Sequence, residues 1–108
     1  MNSCNNCSDE IDIKKLIENI PSDEDLKSIS DIFKALSEPL RIKILFLLKD
    51  GELCVCHINS SLNKPQSTIS HHLSLLKNIN LLNSRKEGKW TYYSLKNPKI
   101  IPYIEKII

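Results

Sequence analysis

The stretch VCHINSSLNKPQSTISHHLSLLKN, residues 55–78, decides the fold. It predicts a short helix over 55–62 and a second helix that Pro65 opens and that ends near Asn78. Between the two helices stands Asn63, a residue type that tolerates the left-handed conformation of a tight turn. The apolar residues expected to face inward from the second helix are Ile69, Leu73 and Leu76. Helix, tight turn and helix form the helix-turn-helix arrangement.

Three further helices are predicted before this unit. Residues 10–21, EIDIKKLIENIP, carry apolar residues at helical spacing. Ser22 starts a capping-box pattern, and the helix that follows carries a clear apolar stripe as far as Leu36. Pro39 suits the first turn of the next helix, and Gly51 suits the stop after it. Because this third helix is apolar most of the way round, we expect it to be the central buried helix.

Beyond the helix-turn-helix the periodicity changes. Residues 83–95, NSRKEGKWTYYSL, predict a β-hairpin that turns at Gly88, and its alternate aromatic residues are expected to cover the helices. The tail NPKIIPYIEKII, residues 97–108, predicts a final helix. A helix this apolar in so small a protein needs something to bury it, and a second subunit is the simplest candidate.

Together these elements predict a mainly α fold with a small β-hairpin, a dimeric winged helix-turn-helix. An N-terminal arm and short helix with one cysteine pair would occupy residues 1–21. A DNA-binding domain with a C-terminal dimerisation helix would occupy residues 22–108. A chain of 108 residues has room for one such domain, and its small core favours dimerisation.

Composition narrows the class of protein. The longest uninterrupted apolar run is ILFLL, residues 44–48, which is far too short to span a bilayer. With two glycines, no phosphate loop and no nucleophile–base–acid set, the chain is not expected to be an enzyme. Its start, MNSCNNCSDE, is polar and acidic, so we expect a cytoplasmic protein whose thiols stay reduced. Four cysteines in two close pairs then indicate metal binding or redox activity rather than a disulfide framework.

The charge is unevenly divided along the chain. Residues 1–40 hold nine acids and four bases, a net −5, whereas residues 41–108 hold four acids and eleven bases, a net +7. The basic part is where a nucleic-acid surface would lie, although an uneven solvated surface would look the same.

DNA contact is predicted on the second helix of the helix-turn-helix and on the hairpin. Short hydrogen-bonding side chains near a helix N-terminus can reach base edges in the major groove, and the first N–H groups can meet phosphate. An ordinary capped helix start is the alternative. The residues expected to contact DNA from the helix and its flank are Lys64, Gln66, Ser67, Thr68, Ser70 and His71. In the hairpin, Arg85, Lys86 and Lys89 are expected to reach the phosphate backbone or the minor groove.

The cysteines form the second candidate site. On a regular helix Cys54 and Cys56 would point apart, so both can reach one ion only if Cys54 lies in an extended segment ahead of the helix. Cys4 and Cys7, in a C-x2-C arm, could supply two more thiolates. Four soft thiolates suit Cd²⁺, Zn²⁺ or Pb²⁺, and three could bind trivalent arsenic or antimony. Two alternatives stay open: a disulfide-based redox switch, or Cys54 and Cys56 as small buried apolar residues.

Three segments in order, ELCVC, STISHHLSLLKNINLL and RKEGKWTYYSL, closely resemble the ArsR/SmtB family of bacterial and archaeal metal-responsive repressors. The resemblance covers residues 29–95, and more weakly the ends. It implies a homodimer whose terminal helices form the interface. It is nearest to the cadmium- and lead-responsive branch, in which arm cysteines of one subunit join the CVC cysteines of the other.

The chain departs from that branch at several positions. The branch spaces its arm pair more widely than Cys4 and Cys7, and it usually has Asp where His57 stands here. The arsenic branch has a third cysteine at the position of Asn59. The family's terminal-helix metal site, which falls near residues 97–105 here, is expected to be absent.

The resulting hypothesis is a metal- or metalloid-responsive transcriptional repressor. It would bind operator DNA as a homodimer and be released when a soft ion, needed as effector but not for folding, binds its cysteines. The alternatives are a thiol redox-responsive winged-helix repressor and a constitutive winged-helix DNA-binding protein without a sensing function.

Overall fold

A computed structural model of the protein describes residues 11–108. The predicted arm cysteines, Cys4 and Cys7, lie outside these residues. The described residues form, in chain order, α1 (Ile13–Glu18), α2 (Asp23–Leu36), α3 (Pro39–Leu47), β1 (Leu53–Cys54), α4 (Val55–Leu62), α5 (Gln66–Asn78), β2 (Leu82–Glu87), β3 (Trp90–Leu95) and α6 (Ile100–Glu105). None of the helices in this part of the chain is long and apolar enough to cross a membrane.

The helix starts follow the predicted capping chemistry. The Ser22 hydroxyl accepts a hydrogen bond from the backbone N–H of Asp25 at 3.1 Å, as the capping-box pattern indicates. Pro39 occupies the first position of α3, where its missing N–H is not needed. Asp12 caps α1 by accepting from the N–H of Lys15 at 3.3 Å. The three predicted N-terminal helices are therefore present.

A single apolar core lies between α3, α4, α5 and the sheet. The side chains with no exposed surface are Ile44, Leu45, Ile58, Ile69, Leu73 and Leu76. The inward face predicted for α5 is thus confirmed, and α3 supplies the centre of the core. Leu82, Leu95 and Ile101 close it from the two hairpin strands and from α6.

The hairpin is part of a three-stranded antiparallel sheet with strand order β1-β3-β2. Gly88 has φ +62°, a left-handed value that favours glycine, and it makes the turn between β2 and β3 as predicted. The third strand, β1, is not among the predicted elements; Leu53 pairs with Tyr93 and Cys54 with Tyr92. Of the hairpin aromatics, Tyr93 packs against the core, whereas Trp90 is 48% exposed.

The apolar stripe of α2 reaches this core only at its end, where Ala35 is buried and Leu36 packs against the core. Leu26, Ile29 and Phe33 are 39%, 42% and 63% exposed, and no residue of α1 is buried. At the other end of the chain, Ile107 and Ile108 are also exposed. The protein therefore carries apolar side chains that the described residues of one subunit leave uncovered.

Candidate DNA-reading unit and thiol pair

The turn between α4 and α5 has the geometry of a helix-turn-helix. Asn63 adopts φ 52° and ψ 47°, and its N–H donates to the carbonyl of Asn59 at 2.9 Å, which ends α4. Pro65 then takes an extended conformation, and its carbonyl accepts from the N–H of Ile69 at 3.2 Å, which starts α5. The left-handed turn expected at Asn63 is confirmed.

The predicted DNA-contact residues of α5 lie on its outer face and its first two turns. Lys64, Gln66, Ser67 and His71 are exposed, whereas Thr68 and Ser70 are half-buried. The first turn of α5 contains no acidic residue, and no side chain among residues 11–108 caps its N–H groups. An anion such as a DNA phosphate would therefore meet unoccupied donors at this helix end.

The three basic residues of the hairpin differ in their surroundings. Lys86 and Lys89 are exposed, and the Lys89 ammonium lies 5.5 Å from the centre of the Trp90 ring. The guanidinium of Arg85 is instead held by two carboxylates. It donates from Nε and Nη2 to both oxygens of Glu52 at 2.8 and 2.7 Å, and from Nη1 to Glu87 at 2.8 Å.

This arrangement fixes the charge state of the Glu52–Arg85 pair. The hydrogen bonds from Arg85 hold the pKa of the Glu52 carboxyl below its ordinary value. They also raise the pKa of Arg85, which stays charged at every accessible pH. Sequence reasoning missed Glu52, since nothing local to ELCVC indicates a partner 33 residues away in the hairpin.

The thiol pair meets the condition that its spacing imposes. Cys54 lies in β1 with φ −72° and ψ 148°, directly ahead of α4, and Cys56 lies in the first turn of the helix. Their Sγ atoms are 2.9 Å apart. A tetrahedral ion with sulfur ligands at about 2.3 Å holds neighbouring sulfurs about 3.8 Å apart, so the two thiols need only a small separation to share one ion.

The two thiols are not equivalent. Cys54 is 3% exposed, whereas Cys56 is exposed. The Cys56 thiol hydrogen-bonds to Cys54 and so holds the pKa of Cys54 below its ordinary value, while the same contact raises the pKa of Cys56. When the pair loses its first proton, the thiolate therefore forms on the buried sulfur of Cys54.

A cleft of about 340 Å³ opens beside the thiol pair, between α4, the start of α5 and β3. Its lining includes Cys54, Cys56, Asn59, Gln66, Ser70 and Lys89. The Oδ1 atom of Asn59 is buried there without a hydrogen-bond partner among the described residues. Within residues 11–108, no three His, Cys, Asp or Glu side chains cluster closely enough to hold a metal. The described residues therefore bring together two sulfur atoms that could act as ligands, Cys54 Sγ and Cys56 Sγ.

A second contact that sequence reasoning missed joins α3 to α5. His72 is half-buried, and its Nδ1 accepts from Nε of Arg41 at 3.0 Å. Arg41 also donates to the carbonyl of Ala35 at the end of α2, at 3.3 Å. Burial lowers the pKa of His72, and the nearby Arg41 charge lowers it further, so the ring is held in its neutral, accepting form.

Several known proteins are similar to this chain in sequence and in fold. Residues 38–84 match the family model described as bacterial regulatory protein, arsR family. An uncharacterized HTH-type transcriptional regulator of Methanocaldococcus jannaschii is 41% identical over 85 residues, which are 78% of this chain and 96% of that protein. The cadmium resistance transcriptional regulatory protein CadC of Listeria innocua is 43% identical over 82 residues, covering 75% of this chain and 69% of that protein. The arsenical resistance operon repressor of Escherichia coli is 45% identical over 78 residues, covering 71% and 66%.

Among solved structures, the homodimeric winged helix-turn-helix DNA-binding domain Mb0332 from Mycobacterium bovis superposes with a TM-score of 0.71 at 28% identity. The match covers 82% of this chain and 84% of that one. It confirms the predicted fold, a mainly α winged helix-turn-helix with a small antiparallel sheet.

Proposed function

Because the chain belongs to the arsR family of bacterial regulatory proteins, we propose that it is a metal- or metalloid-responsive transcriptional repressor of the cytoplasm. It binds operator DNA as a homodimer and leaves it when a soft ion binds its cysteines. The observation that carries the sensing role is the 2.9 Å distance between the Sγ atoms of Cys54 and Cys56, at the start of the helix-turn-helix.

DNA binding uses the outer face of α5 and the hairpin, which we call the wing. The side chains proposed to contact DNA are Lys64, Gln66, Ser67, Thr68, Ser70, His71, Lys86 and Lys89. Exposed amide, hydroxyl and imidazole groups near the start of α5 suit base edges, and the exposed lysines suit phosphates. Arg85 is not in this set, because two carboxylates already hold its guanidinium.

Dimerisation covers the apolar surface that one subunit leaves open. An apolar groove of about 480 Å³ runs between α2, α3 and the C-terminal tail, and its lining includes Phe33, Phe46, Ile104 and Ile107. An exposed groove of this kind favours association between subunits. The homodimeric state of the Mycobacterium bovis domain supports the same arrangement here. We also propose that the chain divides between residues 21 and 22, with residues 1–21 forming the N-terminal arm and short helix.

The effector is a thiophilic ion: Cd²⁺, Pb²⁺, Zn²⁺, or trivalent arsenic or antimony. Cys54 and Cys56 supply two thiolates, and we assign the remaining ligands to Cys4 and Cys7. The similarity to regulators of cadmium and arsenical resistance supports an effector of this class. A sulfur-rich site has little affinity for hard ions such as Mg²⁺ or Ca²⁺.

Release follows from the position of the thiol pair. Cys54 and Cys56 flank the start of α4, so a ligand that draws them to one ion acts on the helix that packs against α5. Coupling of this sort is typically about 1–3 kcal/mol and is reciprocal, so operator DNA weakens ion binding by the same factor.

The proposal is tested on a DNA fragment that the protein selects from a random pool. Its affinity is measured anaerobically with Cd²⁺, Pb²⁺, Zn²⁺, arsenite or no ion, for the wild type and for a Cys54→Ser/Cys56→Ser double variant. We expect at least one ion to release the wild type and none to release the variant. Ser60→Ala, an exposed change on α4, is the matched control. Equal release of wild type and double variant would contradict thiol sensing.

A thiol redox-responsive repressor is the second candidate, favoured by the same short Sγ–Sγ distance and by the lowered pKa of Cys54. Diamide, a two-electron thiol oxidant, is therefore added as a further arm of the titration. Release by diamide and by no ion would select the redox function. If the protein keeps its DNA under every condition, its function is that of a constitutive DNA-binding protein without a sensing role.

A further inference from the structure

An ion pair ties the strand that carries Cys54 to the outer strand of the wing. Glu52 stands immediately before β1, and Arg85 lies in β2. The guanidinium and the carboxylate meet through two hydrogen bonds of 2.7 and 2.8 Å, the paired geometry in which an arginine–carboxylate contact is strongest and most directional. β3 lies between the two strands, so this contact spans the full width of the sheet.

The pair continues a row of residues that starts at the thiol. Cys54 pairs with Tyr92 across β1 and β3, and Tyr92 pairs with Arg85 across β3 and β2. The guanidinium also stacks on the Tyr92 ring, with its carbon 4.5 Å from the ring centre. Cys54, Tyr92 and Arg85 are therefore register partners in one row across the sheet, and Glu52, immediately before β1, is hydrogen-bonded to the guanidinium at the far end of that row.

We propose that the Glu52–Arg85 ion pair transmits occupancy of the thiol pair to the wing, and that Arg85 is a positioning residue rather than a phosphate contact. This inference rests on the proposed function, because it requires an ion bound by Cys54 and Cys56. It identifies the contact through which ion binding at the thiol pair would affect the DNA-binding surface.

The direction of the effect follows from geometry. The sulfurs must move from 2.9 Å to about 3.8 Å apart to share a tetrahedral ion, and Cys54 lies in a strand of two residues with little pairing to resist displacement. A shift of β1 would carry Glu52 with it, and Glu52 is hydrogen-bonded to Arg85 in β2. Lys86, a proposed phosphate contact, follows Arg85 in the same strand. The wing therefore moves with the thiol pair.

The same contacts keep Arg85 away from DNA. Its Nε, Nη1 and Nη2 atoms all donate to carboxylates, and one face of its guanidinium lies on Tyr92. Two carboxylates beside one guanidinium also cancel the positive charge that a phosphate would meet. Neither Lys86 nor Lys89 has a carboxylate within 4.0 Å among residues 11–108.

The first experiment measures the ratio of operator affinities without and with Cd²⁺. The full-length variants are Glu52→Gln, Arg85→Gln and both together, all at exposed positions. Allosteric ratios are typically about 5–150-fold. We expect each single variant to lower the wild-type ratio by about tenfold or to abolish it, and the double variant to match the single ones, because either change breaks the same link. Cd²⁺ affinity without DNA, followed by thiolate absorbance, should stay within about twofold of the wild type.

Glu87→Gln is the matched control. Glu87 also accepts a hydrogen bond from Arg85, but it lies on the same strand and does not reach β1. Its variant should keep the wild-type ratio. Release of Glu52→Gln and Arg85→Gln by Cd²⁺ with an unchanged ratio would overturn the inference and leave the proposed function standing. Failure of every ion to release the wild type would instead overturn the proposed function, and the link with it.

A second experiment separates positioning from phosphate contact without an ion. The slope of log affinity against log salt falls by about 0.9 for each phosphate that the protein no longer neutralises. Lys86→Gln should lower the slope by that amount, whereas Arg85→Gln should leave it unchanged. An equal fall in both variants would show that Arg85 contacts phosphate and would overturn its assignment as a positioning residue.

Discussion

At the residue scale, the side chain of His72 in α5 is held in place by a hydrogen bond from α3. Its Nδ1 accepts from Arg41, and Arg41 also holds the end of α2, so one guanidinium joins three helices. The charged groups that act on the ring are Arg41, His71 and Glu38, of which only Glu38 favours protonation. A protonated His72 would lose its acceptor and face a positive charge.

Stability is therefore expected to depend on pH through His72. Since its pKa is lowered by folding, the unfolded chain takes up the proton first as the pH falls below about 6.5, and the folded state loses stability there. His72→Gln, which keeps an acceptor for Arg41, should show a smaller loss of urea midpoint between pH 7.5 and 5.5. His57→Gln, at an exposed position of α4, should behave as the wild type. Identical losses in all three proteins would contradict this origin of the pH dependence.

Asn59 offers a stability prediction of the opposite sign. Its Oδ1 is buried without a partner among the described residues, a cost of about 1–3 kcal/mol. Asn59→Leu, which removes the polar atoms at similar volume, should raise the free energy of unfolding by about 1 kcal/mol, as measured by urea denaturation. The exposed change Asn78→Leu should alter it by no more than about 0.5 kcal/mol. Destabilisation by Asn59→Leu would indicate that the amide is satisfied.

At the scale of elements, the proposed function divides DNA recognition between α5 and the wing. α5 presents amide, hydroxyl and imidazole groups beside unoccupied N–H groups, and the wing presents two exposed lysines on either side of Gly88. Base-edge contacts carry sequence preference, whereas phosphate contacts carry affinity and salt dependence. Changes in the two elements should therefore be separable in one binding assay.

Gln66→Ala is expected to reduce discrimination between the selected DNA and a scrambled fragment by about 1–3 kcal/mol, without changing the salt slope. Lys89→Gln, in the wing, should weaken binding to both fragments alike and lower the salt slope by about 0.9. Fluorescence anisotropy at several salt concentrations measures both quantities. An equal loss of affinity for both fragments in the Gln66→Ala variant would indicate that this side chain contacts the DNA backbone rather than the base edges.

Local signals predict these elements well because each rests on neighbouring residues. The turn at Asn63, the cap at Ser22 and the hairpin turn at Gly88 all depend on chemistry within four positions. β1 escapes prediction because two residues cannot show alternation, and its partner lies about 40 residues away in β3. The ion pairing of Arg85 escapes for the same reason: the sequence shows a basic hairpin residue but not the carboxylate that occupies it.

At the scale of the whole molecule, α1 and most of α2 lie outside the core, which α2 reaches only at Ala35 and Leu36. The radius of gyration is 19.4 Å, whereas about 13 Å is usual for a compact domain of this size. The apolar spacing of α2 predicts an amphipathic helix correctly, but it does not say which surface covers the apolar face. In the proposed homodimer, a second subunit covers the exposed apolar side chains of α2 and the groove beside Phe33.

Phe33→Glu should therefore convert the proposed dimer to a monomer. Phe33 is 63% exposed and lines the apolar groove, so a charge there would be buried without a partner on association. Sedimentation velocity at micromolar concentration should give a monomer for this variant. Lys34→Glu, at the next and also exposed position, should stay dimeric. A Phe33→Glu protein that remains dimeric would show that the dimer interface does not include this groove.

The unequal burial of the two thiols sets an order and a size limit on their reactions. The more ionised sulfur, Cys54, is the shielded one, and the open sulfur, Cys56, keeps its proton. A bulky electrophile would meet Cys56 first, the weaker acid of the two thiols, because the sulfur of Cys54 is shielded. The pair thus discriminates between reagents by rate before it does so by affinity. We therefore expect bulky alkylating agents to react slowly with the pair, because the thiol that ionises more readily is the one they reach least easily.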